Sequence, residues 1–93
     1  MADLSIDDFA PHVGTTYQVD LDGAAVTLTL EEARPLPQSV REAGSFALLF
    51  RGPPEPMLPQ AIHTLRSSGR SDEIFIVPVA RDQSGAQYEA VFN

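Results

Sequence analysis

The sequence contains no cysteine, no lysine and no tryptophan. Without cysteine, disulfides and thiolate metal centres are excluded, and the fold has to hold by packing. Without lysine, a lysine-bearing phosphate loop is impossible. All six basic residues are arginines, at positions 34, 41, 51, 66, 70 and 81. Against them stand 13 acids, for a net charge of -7. An acidic surface repels phosphate backbones and anionic headgroups, so neither nucleic acid nor a membrane is an expected partner. No apolar run approaches the roughly 20 residues needed to cross a bilayer. The start, Met1-Ala2-Asp3-Leu4, lacks the basic and apolar stretches of a secretory signal, so a cytoplasmic location is expected.

What is present is a relay of short apolar runs, each closed by turn chemistry. The runs are Thr15–Leu21, Ala25–Ala33, Ser45–Arg51, Ala61–Ser67, Glu73–Arg81 and Ala86–Phe92. Strand-length runs at near-regular spacing predict an all-β fold, a small antiparallel barrel or sandwich of about six strands. Ninety-three residues allow one domain, 1–93, with a helical N-terminal segment over 1–14 and sheet over 15–93. A chain this size buries roughly 60–65% of its unfolded surface, enough for a single core.

In the first segment, Ser5 followed by Asp8 is an imperfect capping box, and Ile6, Phe9, Ala10 and Val13 share one helical stripe. Pro11 limits the helix to one or two turns and Gly14 can end it. This helix is expected to cover an open end or a face of the sheet. Tyr17, Val19 and Leu21 then alternate with polar neighbours, as do Val26, Leu28 and Leu30, and Asp22-Gly23 between them signals a tight hairpin. Two Pro-rich stretches, Arg34–Ser39 and Gly52–Gln60, interrupt the pattern. Ser67–Asp72 reads as a flexible turn, and Pro78 points to an edge, bulge or barrel corner. Runs Phe46–Phe50 and Ile74–Val79 are apolar on both faces, so their outer faces need cover from the helix or from another protein.

A search for chemistry finds little. There is no nucleophile elbow, no glycine-rich dinucleotide fingerprint, and no paired-histidine spacing around His12 or His63. Asp20-Leu21-Asp22-Gly23 resembles a calcium loop only at its start, because the chain runs straight on into a strand. Arg51 and Arg81 each end a strand and suit pairing with acids across the sheet. No catalytic residue, cofactor or metal is expected. The first functional expectation is therefore a non-enzymatic interaction or assembly module, binding another protein or itself. Its contact residues would be Phe46, Leu49, Arg51, Pro53, Pro54, Pro56 and Leu58, on the third strand and the stiff crossover, which holds two overlapping Pro-x-x-Pro matches. The alternative is a small-ligand-binding barrel or minor enzyme with a pocket near His63, Arg51 and Glu89.

Several stretches together carry a resemblance. Asp8-Phe9-Ala10-Pro11-His12-Val13-Gly14-Thr15-Thr16-Tyr17, Phe46–Pro53, Leu58-Pro59-Gln60, Ile76–Arg81 and Tyr88–Asn93 are similar to a small bacterial family, domain of unknown function 6916. The resemblance implies no activity and transfers no catalytic residue. It implies genomic neighbours like phage-tail collar proteins, and hence a part in a tail-like or surface assembly.

Overall fold

In a computed structural model that describes residues 4–36 and 45–92, the chain closes into a six-stranded antiparallel barrel. The strands are β1 (Thr16–Leu21), β2 (Ala24–Pro35), β3 (Phe46–Gly52), β4 (Ala61–Ser67), β5 (Arg70–Asp82) and β6 (Gly85–Phe92). Their order around the barrel is β1-β2-β3-β6-β5-β4, with β4 returning to β1. The second half of the first Pro-rich stretch, residues 37–39, and Arg41 lie outside the described residues.

Two strands are long because each serves two neighbours. β2 pairs with β1 through Ala24–Thr29 and with β3 through Thr29–Pro35. β5 pairs with β4 through Arg70–Ile76 and with β6 through Val77–Asp82. Both carry a register irregularity, between Leu30 and Glu32 and between Pro78 and Ala80. Such bulges bend a strand and increase its twist, which lets so few strands close. The expectation of a bulge or corner near Pro78 therefore holds. The first Pro-rich stretch starts later than expected: Arg34 and Pro35 still belong to β2, opposite Ala47 and Phe46.

Local chemistry sets the connections. Asp22 and Gly23 (φ 51° and 86°) make a tight β1–β2 turn, as the Asp-Gly pair predicts. The stretch read as a flexible turn is tighter than expected. Ser68 and Gly69 (φ 49° and 80°) form a second turn of the same kind, and Arg70–Asp72 already belong to β5. At the β5–β6 turn, the Asp82 carboxylate accepts hydrogen bonds from the Ser84 amide (2.8 Å), the Ser84 hydroxyl (2.7 Å) and the Gly85 amide (3.1 Å).

Alternation puts one face of each strand inside. Tyr17, Val19, Val26, Leu28, Leu30, Phe46, Leu48, Phe50, Leu65, Ile74, Ile76 and Tyr88 form one buried cluster. The Tyr17 ring meets Phe50 edge-on at 5.7 Å. Burial raises the pKa of its hydroxyl, and a hydrogen bond with the Thr15 side chain opposes the shift. Among the described residues no buried side-chain nitrogen or oxygen lacks a hydrogen-bond partner.

Each end of the barrel is closed by a loop. At one end the N-terminal segment forms two 3-10 turns, Ile6–Asp8 and Ala10–His12, and not a single α-helical stripe. Three residues per turn, with Pro11 inside the second, disperse the expected apolar face. Of the four residues on it, only Phe9 is fully buried, while Val13 is 47% exposed. The Phe9 ring packs 6.0 Å from Phe46 and 6.1 Å from Phe92, and those two rings stack at 4.4 Å. Asp8 accepts the Ser5 amide (2.8 Å), which supplies half of the capping box. Gly14, at φ 95°, ends the segment and donates to the Leu30 carbonyl. At the other end, the Pro-rich crossover buries Leu58 and packs Met57 against the core. The Leu58 amide donates to the Tyr88 hydroxyl at 3.0 Å.

Candidate functional site

An internal site has no place in this architecture, because the barrel interior is occupied by large side chains of the core cluster. The three groups suggested as pocket residues stand apart. Arg51 pairs with Glu31 (3.2 Å), Glu89 faces Arg34 (3.8 Å), and His63 Nε2 lies 2.8 Å from the Pro59 carbonyl. Arg51 and Glu89 point outward from the adjacent strands β3 and β6, whereas His63 is on β4 across the barrel order. Among the described residues no group of three metal-ligating side chains comes together.

The proposed contact residues divide into two sets. Phe46 and Leu58 are 1% exposed and point into the core, so they present nothing to a partner. Strand alternation explains Phe46; the Tyr88 hydroxyl explains Leu58. Leu49 and Arg51 are half-buried on the outer face, Pro53 and Pro54 are half-buried, and Pro56 is exposed. The crossover that holds them is not a free strap: besides the Leu58 anchor, Arg81 pairs with Glu55 at 3.0 Å.

The outer faces of the doubly apolar strands are covered differently. The N-terminal segment sits at the barrel end and covers neither. On β3, Ala47 is buried and Leu49 half-buried in a shallow groove walled by Glu32, Arg34 and Glu89, where Arg34 reaches both acids. The arginine stem shields the apolar strand while its head stays in water. On β5, Phe75 meets water. It is 49% exposed, and Ile62, directly opposite on β4, is 66% exposed. Val79 and Val91 add further exposed apolar positions on β5 and β6. The double-faced pattern at Phe75 could be read from the sequence. Ile62, in an alternating strand, carried no such signal.

Along the same β4–β5 ribbon the surface turns polar. Thr64 and Glu73 follow Ile62 and Phe75, and then come Arg66 and Ser71. Beside them lies a groove of about 560 Å³ between the start of β1 and the β4–β5 turn, lined by Thr16, Gln18 and Arg66–Ser71. Each described arginine has an acid within 4 Å: Arg66 with Asp20 (2.8 Å) and Arg70 with Asp72 (2.7 Å) at this groove. The structural pairing expected for Arg51 and Arg81 is therefore present.

The geometry defines a small filled β-barrel with plugged ends. The chain belongs to the family described as domain of unknown function 6916 (DUF6916), whose family model matches residues 4–92. Comparison with curated proteins and with solved structures returned no match. Among the described residues, no helix is long and apolar enough to cross a membrane.

Proposed function

We propose that the protein is a non-enzymatic interaction module that meets another protein through the outer face of the β4–β5 ribbon. One observation carries the reading: Ile62 and Phe75 oppose each other across the ladder and are 66% and 49% exposed. Cross-strand neighbours lie about 5 Å apart, so the two form one contiguous apolar spot. The equivalent position on β3 is shielded by Arg34, so exposure at Ile62 and Phe75 does not follow from small size alone. The filled interior favours surface contact over a ligand held inside the barrel.

The test is a pairwise binding survey of the protein against itself and against the products of adjacent genes. It is repeated with the double variant Ile62→Thr, Phe75→Thr, which keeps β-propensity. Association is expected to weaken at least about tenfold, some 1.4 kcal/mol, in the variant. Folding stability should change by no more than about 1 kcal/mol, since both side chains already face water. Equal binding by the variant, or no association with any of these proteins at high concentration, would dismiss the reading.

A further inference from the structure

The groove beside the β4–β5 turn combines two features. The first is an open stretch of sheet edge. β1 and β4 close the barrel through one residue pair, Gln18 with Arg66. The same register would set Thr16 opposite Ser68, but Ser68 sits at φ 49° in the turn, so the chain has already left the ladder. On the β2 side, Thr15 accepts from the Leu30 amide. Antiparallel ladders alternate, so the main-chain groups of Thr16 and Gln18 face the other way, toward β4. Gln18 finds Arg66 there, and Thr16 faces the groove.

The second feature is charge. The chain carries -7, yet no carboxylate lines this groove, and two arginines and three serines do. Arg70 is preorganised: its Nη1 donates to the Asp8 carbonyl (2.8 Å), its Nε meets Asp72, and its guanidinium lies 5.0 Å from the centre of the Phe9 ring. Among the described residues, the Arg66 side chain is held by an exposed pair with Asp20. Such pairs are worth about 0–1 kcal/mol, so an incoming carboxylate competes for Arg66 on even terms. A guanidinium fork with five donors can also serve two acids at once.

We infer that this groove binds an extended acidic segment of another protein, its main chain set against the open edge at Thr16 and its carboxylates against Arg66 and Arg70. The volume lies within the roughly 300–1,000 Å³ usual for a binding cleft. Main-chain contact at Thr16 fixes the segment against the sheet edge, and the arginines supply the preference for acid. A nucleic acid would bring phosphates to the same arginines but would place a long polyanion against a chain of like charge. The inference uses residues distinct from Ile62 and Phe75, and stands or falls without them.

The experiment is an amide-resolved NMR titration with the peptide acetyl-Glu-Val-Glu-Val-Glu-amide. Its lysine counterpart, inorganic phosphate and oligothymidylate serve as the comparison arms. The acidic peptide is expected to shift the amides of Thr16, Gln18, Gly69 and Ser71, with affinity that falls as salt rises. Arg66→Gln should raise its Kd at least fivefold and Arg66→Lys less, because a lysine keeps the charge but loses the fork. Arg66 is the residue to change because Arg70 also supports the Phe9 plug. Failure of the acidic peptide to bind overturns the inference, as do shifts confined to another face or equal binding by the lysine peptide. Phosphate reproducing the shifts at the same affinity would make this a simple oxyanion site, and tighter binding of oligothymidylate would make it a nucleic-acid site. Either outcome removes the peptide assignment.

Discussion

Tyr88 shows how much one side chain holds. Its ring is fully buried, and its hydroxyl accepts the Leu58 amide and donates to the Met57 sulfur at 3.8 Å. The crossover is thereby tied to a strand 30 residues further along the chain. Tyr88→Phe keeps the ring and removes the oxygen, leaving a buried amide without its partner. Stranding a buried donor costs about 1–3 kcal/mol. A urea titration should show that loss, and an unchanged midpoint would mean the crossover is not held by this bond. The sequence placed Tyr88 in the last apolar run, Ala86–Phe92. It gave no sign that Leu58 was the residue at the other end of the bond, because the two meet only after closure.

The positions of the three turns were readable, since their chemistry is local, although the β4–β5 turn is tighter than the flexible stretch read over Ser67–Asp72. Asp22-Gly23 needs positive φ and a residue that tolerates it, and so does Ser68-Gly69. At the β5–β6 turn the means is a carboxylate. Hydrogen bonds from the Ser84 side chain, then the Ser84 amide, with the Gly85 amide adding less, hold the Asp82 carboxyl below its usual 3.8. A group whose pKa is depressed on folding contributes stability above its unfolded pKa and loses it as pH falls through the folded one. The stability difference between the native protein and Asp82→Ala should therefore be full at neutral pH. It should start to shrink near pH 3.8 and vanish once the folded carboxylate is protonated. Denaturation midpoints of both proteins across that range check it. A difference that stays constant down to strong acid would show that the charge plays no part in the turn. The N-terminal element was read less well, because 3-10 turns broken by a proline do not keep the 3.6-residue period that the stripe of Ile6, Phe9, Ala10 and Val13 assumed.

The barrel as a whole depends on its two plugs. With six strands the interior is narrow enough to fill with side chains, but the open ends must be covered by other parts of the chain. Phe9 at one end contacts Phe46 from β3, Phe92 from β6 and Arg70 from β5, so a single ring ties three distant strands together. Phe9→Ala is expected to cost about 3–5 kcal/mol. That is a large part of the roughly 5–15 kcal/mol that holds a small domain folded. Equilibrium unfolding and hydrogen exchange should show the loss spread over β3, β5 and β6. A small loss confined to residues 4–14 would mean that the segment is merely appended.

The amino-acid order alone determined the alternating faces of β1 and β2, where the chain turns, and what the protein lacks. These follow from period-two alternation, backbone preferences and composition, all of which are local. Tertiary structure decided which apolar outer positions stay bare and which acid each arginine meets. Leu49 is half-buried between Glu32 on β2 and Glu89 on β6, where Arg34 reaches both acids, while Phe75 and Ile62 face each other with nothing of the kind beside them among the described residues. Thr16 keeps an open edge because β4 turns away one pair beyond Gln18. Such facts depend on strands brought together by non-consecutive pairing, and no window of sequence contains both partners.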